Sequence, residues 1–331
     1  MSLGEFDLIA RYFTPSHYSA DVRLGVGDDA AVLDVPTGFK LVAAVDTLVE
    51  GVHFPLDTHP RDIAYRALAV NLSDLAAMGA QPRWFTLSLC LPNTNETWLA
   101  EFAAGLTELA TQFNVQLVGG DTVKGPLNIS VQILGCVEAD RWLTRSGAQP
   151  GDVIFVSGVP GEAAAGLHSI LHPKAMQSSP TAAQHHDYLV QRFLQPTPRV
   201  VLGRALRMHA SATLDVSDGL LTDLKKLCAA SQCGAQLDLE SLPHSTAMHA
   251  LFDHAQAEQF ALGGGDDYEL LFTVHPQQLL SLESAIADCG VRCTPIGRII
   301  AGDAVSCCRA GCAVNVDATG YDHFATHSAS R

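Results

Sequence analysis

The chain has 331 residues, which at roughly 150 residues per domain predicts about two domains, each able to bury a core without disulfides or a structural metal. Apolar residues make up 47% and charged residues 17%, below the usual share of about a quarter, which argues against a disordered chain. Acidic residues outnumber basic ones by 35 to 20, a formal charge of −15, which argues against nucleic acid or an anionic membrane surface as a partner.

In chain order, Met1 to Arg11 carries no basic start and no continuous apolar run. No later segment approaches the roughly 18 apolar residues of a membrane span, so a cytoplasmic protein is expected. Leu41 to Val45 is a buried-strand candidate ending at Asp46-Thr47. Arg61 to Met78 repeats apolar residues at helical spacing, with Gly79 placed to end it, and a second helix is predicted from about Glu96 to Phe113. Strands follow at Val115 to Val118 and Leu127 to Val137. The turn Gln149-Pro150-Gly151-Asp152 marks the expected boundary between domains 1–148 and 149–331.

The second half reads as a strand at Val153 to Val156, a helix at Glu162 to Leu171, a His- and Ser-rich loop near 172–186, and helices around 187–210. A strand at Ala212 to Val216, a helix at Gly219 to Ser231, a strand at Tyr268 to Val274, a helix at about Gln277 to Cys289 and short C-terminal strands complete it. The absence of regular βαβ alternation predicts two α+β domains rather than one doubly wound sheet.

Nine cysteines, an odd count without paired C-x2-C spacing, read as small reduced core residues. A metal set among Cys289, Cys293, Cys307, Cys308 and Cys312 is the weaker alternative, because their spacing is irregular.

No P-loop motif is present. Gly25-Val26-Gly27-Asp28-Asp29-Ala30 fits the short dinucleotide fingerprint, but Ala31 to Val35 continues as a strand where a helix is needed, and two carboxylates would repel a pyrophosphate. What stands out is a series of carboxylates beside glycine or small residues at the ends of apolar runs. They lie in Gly27-Asp28-Asp29, Val45-Asp46-Thr47, Asn71-Leu72-Ser73-Asp74, Gly119-Gly120-Asp121, Asp215-Val216-Ser217-Asp218-Gly219 and Gly264-Gly265-Asp266-Asp267-Tyr268-Glu269.

Singly, each reads as a turn or cap residue. Together they suggest more. Asp46 and Asp121 each end a strand-like run, and Asn71 and Asp74 share a helix face; were the two strands neighbours, their carboxylates would converge. Converging carboxylates stay ionised only around cations, and an all-oxygen set selects Mg²⁺, which in turn recruits phosphates.

These motifs, with Leu48-Val49 and His53-Phe54, Ala67 to Ala80, Leu143-Thr144-Arg145-Ser146-Gly147-Ala148, Gly4-Glu5-Phe6 and Gly320-Tyr321-Asp322-His323-Phe324, resemble in order those of the thiamine-monophosphate kinase family. That family belongs to the AIR synthetase-like (PurM-like) ATP-binding superfamily. The resemblance implies that Asp29, Asp46, Asp74, Asp121, Asp215 and Asp218 hold several Mg²⁺ ions bridging ATP and the acceptor phosphate. It implies that Gly120, Asp121, Arg145 and Ser217 contact ATP, and that His53, Asp266 and Tyr321 contact thiamine phosphate. Any metal contact at Val45 or Ala44 would use a backbone carbonyl. The family usually carries Glu where this chain has Asp266, a side chain one methylene longer.

The resemblance also implies a homodimer paired through the N-terminal sheets, with a K⁺ requirement left open. Read without the family, His53 is a satisfied loop histidine and Tyr321 a rim aromatic, Ser217 reads as an N-cap, and Arg145 is as well a surface charge as a phosphate ligand.

The implied reaction is direct transfer of the ATP γ-phosphoryl group to thiamine phosphate, giving thiamine diphosphate and ADP. A phosphate monoester is largely dianionic at neutral pH, so no catalytic general base is expected. Competing readings are another AIR synthetase-like enzyme or a non-catalytic metal- and nucleotide-binding module. Selenophosphate synthetase would need a reactive cysteine or selenocysteine with a lysine near the N-terminus, whereas the first cysteine here is Cys90.

Overall fold

The computed structural model describes residues 4–173, 180–316 and 320–321. The chain divides into two compact units, one comprising residues up to Leu75 with Ala80–Asp140, the other Ala76–Gly79 with Arg141 onward.

In the first unit, α1 (Glu5–Leu8) leads through one π-helical turn to β1 (Val22–Leu24) and β2 (Val32–Leu33), which pair antiparallel. Then follow β3 (Phe39–Val49), α2 (Pro60–Ala77), β4 (Gln81–Leu91), α3 (Glu96–Gln112), β5 (Gln116–Lys124) and β6 (Asn128–Glu138). The four long strands form one sheet in the order β3-β6-β4-β5, antiparallel except for β4 with β5. Alternation along β6 buries Ile129, Val131 and Ile133, and the ladder sets Leu48, Leu87, Leu89 and Phe85 in the same rows, giving one apolar face. Helix α2 is apolar on nearly every side and correspondingly enclosed, with Ala64, Leu68, Leu72, Leu75 and Ala76 fully buried. Asn95 caps α3, its side chain accepting from the amides of Thr97 and Trp98.

The opposite sheet face is covered at one end, where Val22 packs with Trp84, Val118 and Cys136. Farther along it, Leu41, Val45 and Val123 remain 50%, 62% and 47% exposed.

Two expectations change here. Asp46-Thr47 and Asp121 lie inside their strands, because β6 and β4 continue to supply partners as far as Val49 and Lys124. The strands β3 and β5 are opposite edges of the sheet rather than neighbours, three strand spacings or roughly 14 Å apart. Strand β4, which carries no expectation from the sequence, is one of the two strands between them.

The second unit contains β7 (Val153–Ser157), α4 (Glu162–Leu171), α5 (Pro180–Leu194), α6 (Val200–Leu206), β8 (Ala210–Asp215), α7 (Leu220–Ser231) and β9 (Gly234–Asp238). It continues with α8 (Thr246–Leu251), α9 (His254–Gly263), β10 (Leu270–Val274), α10 (Leu279–Ile286), β11 (Cys293–Ile300), β12 (Val305–Arg309) and β13 (Cys312–Val314). Its seven strands form a mixed sheet in the order β13-β12-β9-β11-β7-β10-β8, with only β12 and β9 parallel. Every residue of β10 is buried, as a strand covered on both faces requires. Both units are therefore α+β.

The sequence places a loop over 172–186, but residues 180–186 are the first turns of α5, opened by Pro180 at a position where its missing N–H costs nothing. Residues 174–179 of that loop lie outside the described residues. The chain breaks between α5 and α6 at Gln195–Arg199, where Pro196 and Pro198 cannot continue a helix. Strand β10 starts at Leu270 rather than Tyr268, whose φ of +51° is incompatible with a ladder. The last helix is shorter than expected, preceded by a 3-10 turn at Pro276–Gln278. Strand β9 and helices α8 and α9 carry no expectation from the sequence.

All nine cysteines are free thiols. Burial pushes buried Cys228 and partly buried Cys293 up to about 12, as befits unreactive thiols. Among the described residues no helix is long and apolar enough to cross a membrane.

Candidate active site

In the first unit the candidate carboxylates take three positions. Asp46 sits on edge strand β3, and its amide donates to Asn71 Oδ1 on α2 at 3.0 Å, while Asn71 Nδ2 is held by the Ala67 carbonyl at 2.9 Å. Fully buried Asn71 thus clamps β3 to α2, with Asp74 one helical turn on. Because the Asp46 amide leaves the ladder, alternation turns the backbone groups of Ala44 and Asp46 to the open edge and those of Val45 toward β6.

Asp121 is exposed on the far edge, in the row Thr47–Ser130–Ser88–Asp121. Thr47 and Ser130 hydroxyls bond across that row at 2.7 Å. Asp46 belongs to the adjacent row with Val131 and Leu87, so by the pleat the two carboxylates leave opposite faces. Gly120 precedes Asp121 with φ +156°, and a Cβ there would lie 1.9 Å from the Leu87 carbonyl oxygen; only glycine lets the backbones approach.

Asp28 and Asp29 are exposed in the loop between β1 and β2, where the Asp29 amide donates to Asp28 Oδ1 at 2.9 Å. His53 follows β3, with its Nδ1 accepting the Val49 amide at 3.0 Å.

The second unit brings distant motifs together. Asp215 ends β8, paired with Leu270, and is buried. In the turn that follows, the amides of Ser217 and Asp218 both donate to buried Asp223 Oδ2, at 3.0 and 2.9 Å. Lys226 bridges Asp223 Oδ1 at 2.7 Å and Asp218 Oδ2. The Ser217 carbonyl accepts the Asp266 amide at 2.8 Å, and the Asp218 carbonyl accepts the Tyr321 amide at 3.1 Å. Residues 215–218, 266 and 321 therefore share one corner.

The return to Tyr321 depends on Gly320, where a Cβ would lie 2.1 Å from Thr222 Oγ1 and 2.4 Å from the Asp218 carbonyl. Asp322, His323 and Phe324 of the same motif lie outside the described residues. Arg145 is exposed in a loop pinned by the Ser231 hydroxyl on its carbonyl at 3.1 Å and by the Thr213 amide on Thr144 O at 2.8 Å.

Sequence reasoning placed Glu269 in the carboxylate series but did not connect it with Arg192 and Arg199, and it singled out neither Asp223 nor Lys226. A charge at the mouth of the fully buried strand β10 is a signal that could have found the Glu269 cluster.

The donors suit a hard divalent cation: they are carboxylates, several are exposed, and Asp218 already holds a cation, the Lys226 ammonium. Among the described residues no three His, Cys, Asp or Glu side chains converge as a finished metal cage. Mg²⁺ is commonly held by one or two carboxylates plus water and substrate phosphates, so such a cage is not what the ion requires.

Comparison with known proteins agrees with this architecture. Residues 27–137 match the family described as AIR synthase related protein, N-terminal domain, and residues 149–307 match its C-terminal domain. The thiamine-monophosphate kinase of Salmonella typhimurium is 49% identical over 328 residues, 98% of this chain and 100% of that protein. The crystal structure of thiamine-monophosphate kinase from Stenotrophomonas maltophilia superposes with a TM-score of 0.85 at 45% identity, covering 93% of this chain and 97% of that one. AaThiL, solved in complex with AMPPCP and TMP, gives a TM-score of 0.75 at 31% identity, covering 88% and 89%. The chain belongs to the thiamine-monophosphate kinase family of AIR synthase related proteins.

Proposed function

We propose that the chain transfers the γ-phosphoryl group of ATP directly to thiamine phosphate, releasing thiamine diphosphate and ADP. The observation that carries this reading is nearly full-length similarity to thiamine-monophosphate kinases, with the second unit bringing Ser217, Asp218, Asp266 and Tyr321 to one corner. Asp29, Asp46, Asp74, Asp121, Asp215 and Asp218 would hold Mg²⁺ as several separate ions, Asp46 and Asp121 leaving opposite sheet faces, with the Ala44 carbonyl on the open edge as a further donor in place of Val45, whose backbone is turned toward β6. The ions supply positive charge that lets two polyanions meet in line.

The chain's own residues do the rest. Arg145, with which no carboxylate forms an ion pair among the described residues, offers a two-pronged donor for phosphate. Gly120 brings bare backbone, and Ser217 a hydroxyl, to the nucleotide. Asp266 places a carboxylate opposite the permanently cationic thiazolium ring of the acceptor, with His53 and Tyr321 completing the acceptor side. No side chain has to remove a proton, because the attacking phosphate is already dianionic.

The domains 1–148 and 149–331, cytoplasmic location and absence of nucleic-acid or membrane partners belong to the same proposal. So does a homodimer, supported by the exposed Leu41, Val45 and Val123 on the sheet face that Val22 and its neighbours cover only at one end. Static light scattering at micromolar concentration should give the mass of two chains; a monomer refutes that element.

The reaction is tested by incubating the protein with MgATP and thiamine phosphate. Thiamine diphosphate and ADP should form in equal amounts. ADP released only with a different acceptor would refute the substrate assignment. Calorimetry should show ATP affinity falling at least about tenfold in EDTA, since an acidic site repels the bare nucleotide.

A further inference from the structure

The second unit holds a buried ionic cluster that the proposed reaction does not use. Glu269 is fully buried. Its Oε1 accepts from Arg192 Nη2 at 2.9 Å and from Arg199 Nη2; its Oε2 accepts from Arg199 Nε at 2.6 Å and from Ser157 Oγ at 2.5 Å. Arg192 also reaches Glu162 Oε2 at 3.1 Å, and the Tyr188 hydroxyl donates to the same carboxylate at 3.0 Å. Ser157 Oγ in turn accepts the Leu270 amide at 2.9 Å.

Two residues earlier, the buried Asp267 carboxylate accepts the amides of Gly161 at 2.6 Å and Ala163 at 3.1 Å, at the start of α4. The residues alternating with these anchors are the unusual ones. Asp266 and Tyr268 have φ of +74° and +51°, the left-handed region that side chains other than glycine avoid. Such conformations persist only where the surroundings over-determine them. Here inward anchors at 267 and 269 alternate with backbone bonds from the Asp266 amide to Ser217 O, 2.8 Å, and from the Tyr268 amide to Val216 O, 2.9 Å. A buried ionic cluster is a poor way to gain stability alone, since apolar residues of similar volume often serve as well or better. It is a good way to fix a conformation.

We propose that Arg199, Arg192, Glu269 and Asp267 are positioning residues that lock the 266–268 backbone and so aim Asp266 at the acceptor. This rests on the reading of Asp266 as a contact to thiamine phosphate. Arg199→Lys keeps the charge but loses the paired donors, so the loop should relax, and the effect should fall on the acceptor and not on ATP.

The test uses the full chain. Arg199→Lys should raise KM for thiamine phosphate about tenfold, and Ser157→Ala about threefold, with KM for ATP within about twofold. Hydrogen exchange at the Asp266 and Tyr268 amides should quicken in both variants. Unchanged exchange there, or a rise in both KM values together, overturns the proposal, even if the melting temperature falls. Should Arg199→Lys fail to fold, Ser157→Ala, which removes one side-chain donor and spares both arginines, decides the same question. Asp266→Asn separates the two layers. If it leaves KM for thiamine phosphate unchanged while Arg199→Lys still quickens exchange, the contact assigned to Asp266 is wrong and the locking of the loop stands.

Discussion

The candidate carboxylates of the first unit and the buried carboxylates of the second are held in opposite ways. In the first, Asp28, Asp29 and Asp121 are exposed, and among the described residues no Lys or Arg forms an ion pair with them. In the second, Asp218 and Asp223 share Lys226, and Glu269 shares Arg192 and Arg199. Where the chain supplies its own cations, carboxylates build structure: Asp223 gathers the Ser217 and Asp218 amides, and Glu269 ties Ser157 to two arginines. Where it supplies none, they remain available to cations from solution. The formal charge of −15 is therefore not one property.

The largest expected effect comes from breaking the second arrangement. Glu269→Gln leaves two largely buried guanidinium groups facing a neutral amide, and should cost about 3 kcal/mol of stability. It should also change how stability varies with pH. Burial alone would raise the Glu269 carboxyl, but Arg199 and then Arg192 outweigh it and hold the group below its ordinary value of 4.5. A carboxyl depressed by folding contributes its full stability above that ordinary value and loses it as pH falls through the folded value. Asp267 behaves oppositely: burial raises it well above 3.8, so its contribution is most favourable when protonated and diminishes as pH rises. Urea unfolding at several pH values between about 3 and 7 should show a steep acid limb in the parent and a flatter one in Glu269→Gln. A loss below about 1 kcal/mol would mean the cluster does not distinguish the second unit.

Next comes the first arrangement. Asp121→Asn should lower turnover by about a hundredfold or more, roughly 2.7 kcal/mol, while shifting stability by less than about 0.5 kcal/mol because the side chain is exposed. Asp74→Asn should do the same to turnover, with circular dichroism unchanged. Near-normal kinetics in both would reduce these carboxylates to solvated surface, and the contrast between the units would collapse.

How far this contrast could be read from the sequence depends on whether the signal is local. Helices α2, α3, α4 and α7 repeat apolar residues every three or four positions, and their limits follow within a few residues. Asp46 and Asp121 read as strand ends because a charge in an apolar run suggests a terminus. Yet Asp121 stands on the partly uncovered face of one edge strand and Asp46 at the open edge of the other, where Asn71 takes its amide, so both fit in mid-ladder, and strand order is not a local property. Arg192 and Arg199 meet Glu269 across 77 and 70 residues, a separation over which no pattern connects them. Glu269 alone left a trace, a charge opening the fully buried run Leu270–Val274, where it could not remain unpaired.

The smallest expected effect tests whether a carboxylate can be moved from one class to the other. Lys226 is about one-third exposed and joins Asp218, which is itself partly open, to the buried Asp223. Burial raises the Asp223 carboxyl and Lys226 opposes that rise, so Lys226→Met should raise it further and lower stability near neutral pH. The same substitution removes the positive charge beside Asp218, leaving it as bare as Asp121. A neighbouring unit charge at a wet surface is worth roughly 1 kcal/mol, so Mg²⁺ should bind about fivefold more tightly, read as a lower Mg²⁺ concentration for half-maximal thermal stabilisation. If Mg²⁺ affinity is unchanged while stability falls, Asp218 belongs with Asp223 to the framework, and the boundary between the two kinds of carboxylate runs through Lys226 rather than between the units.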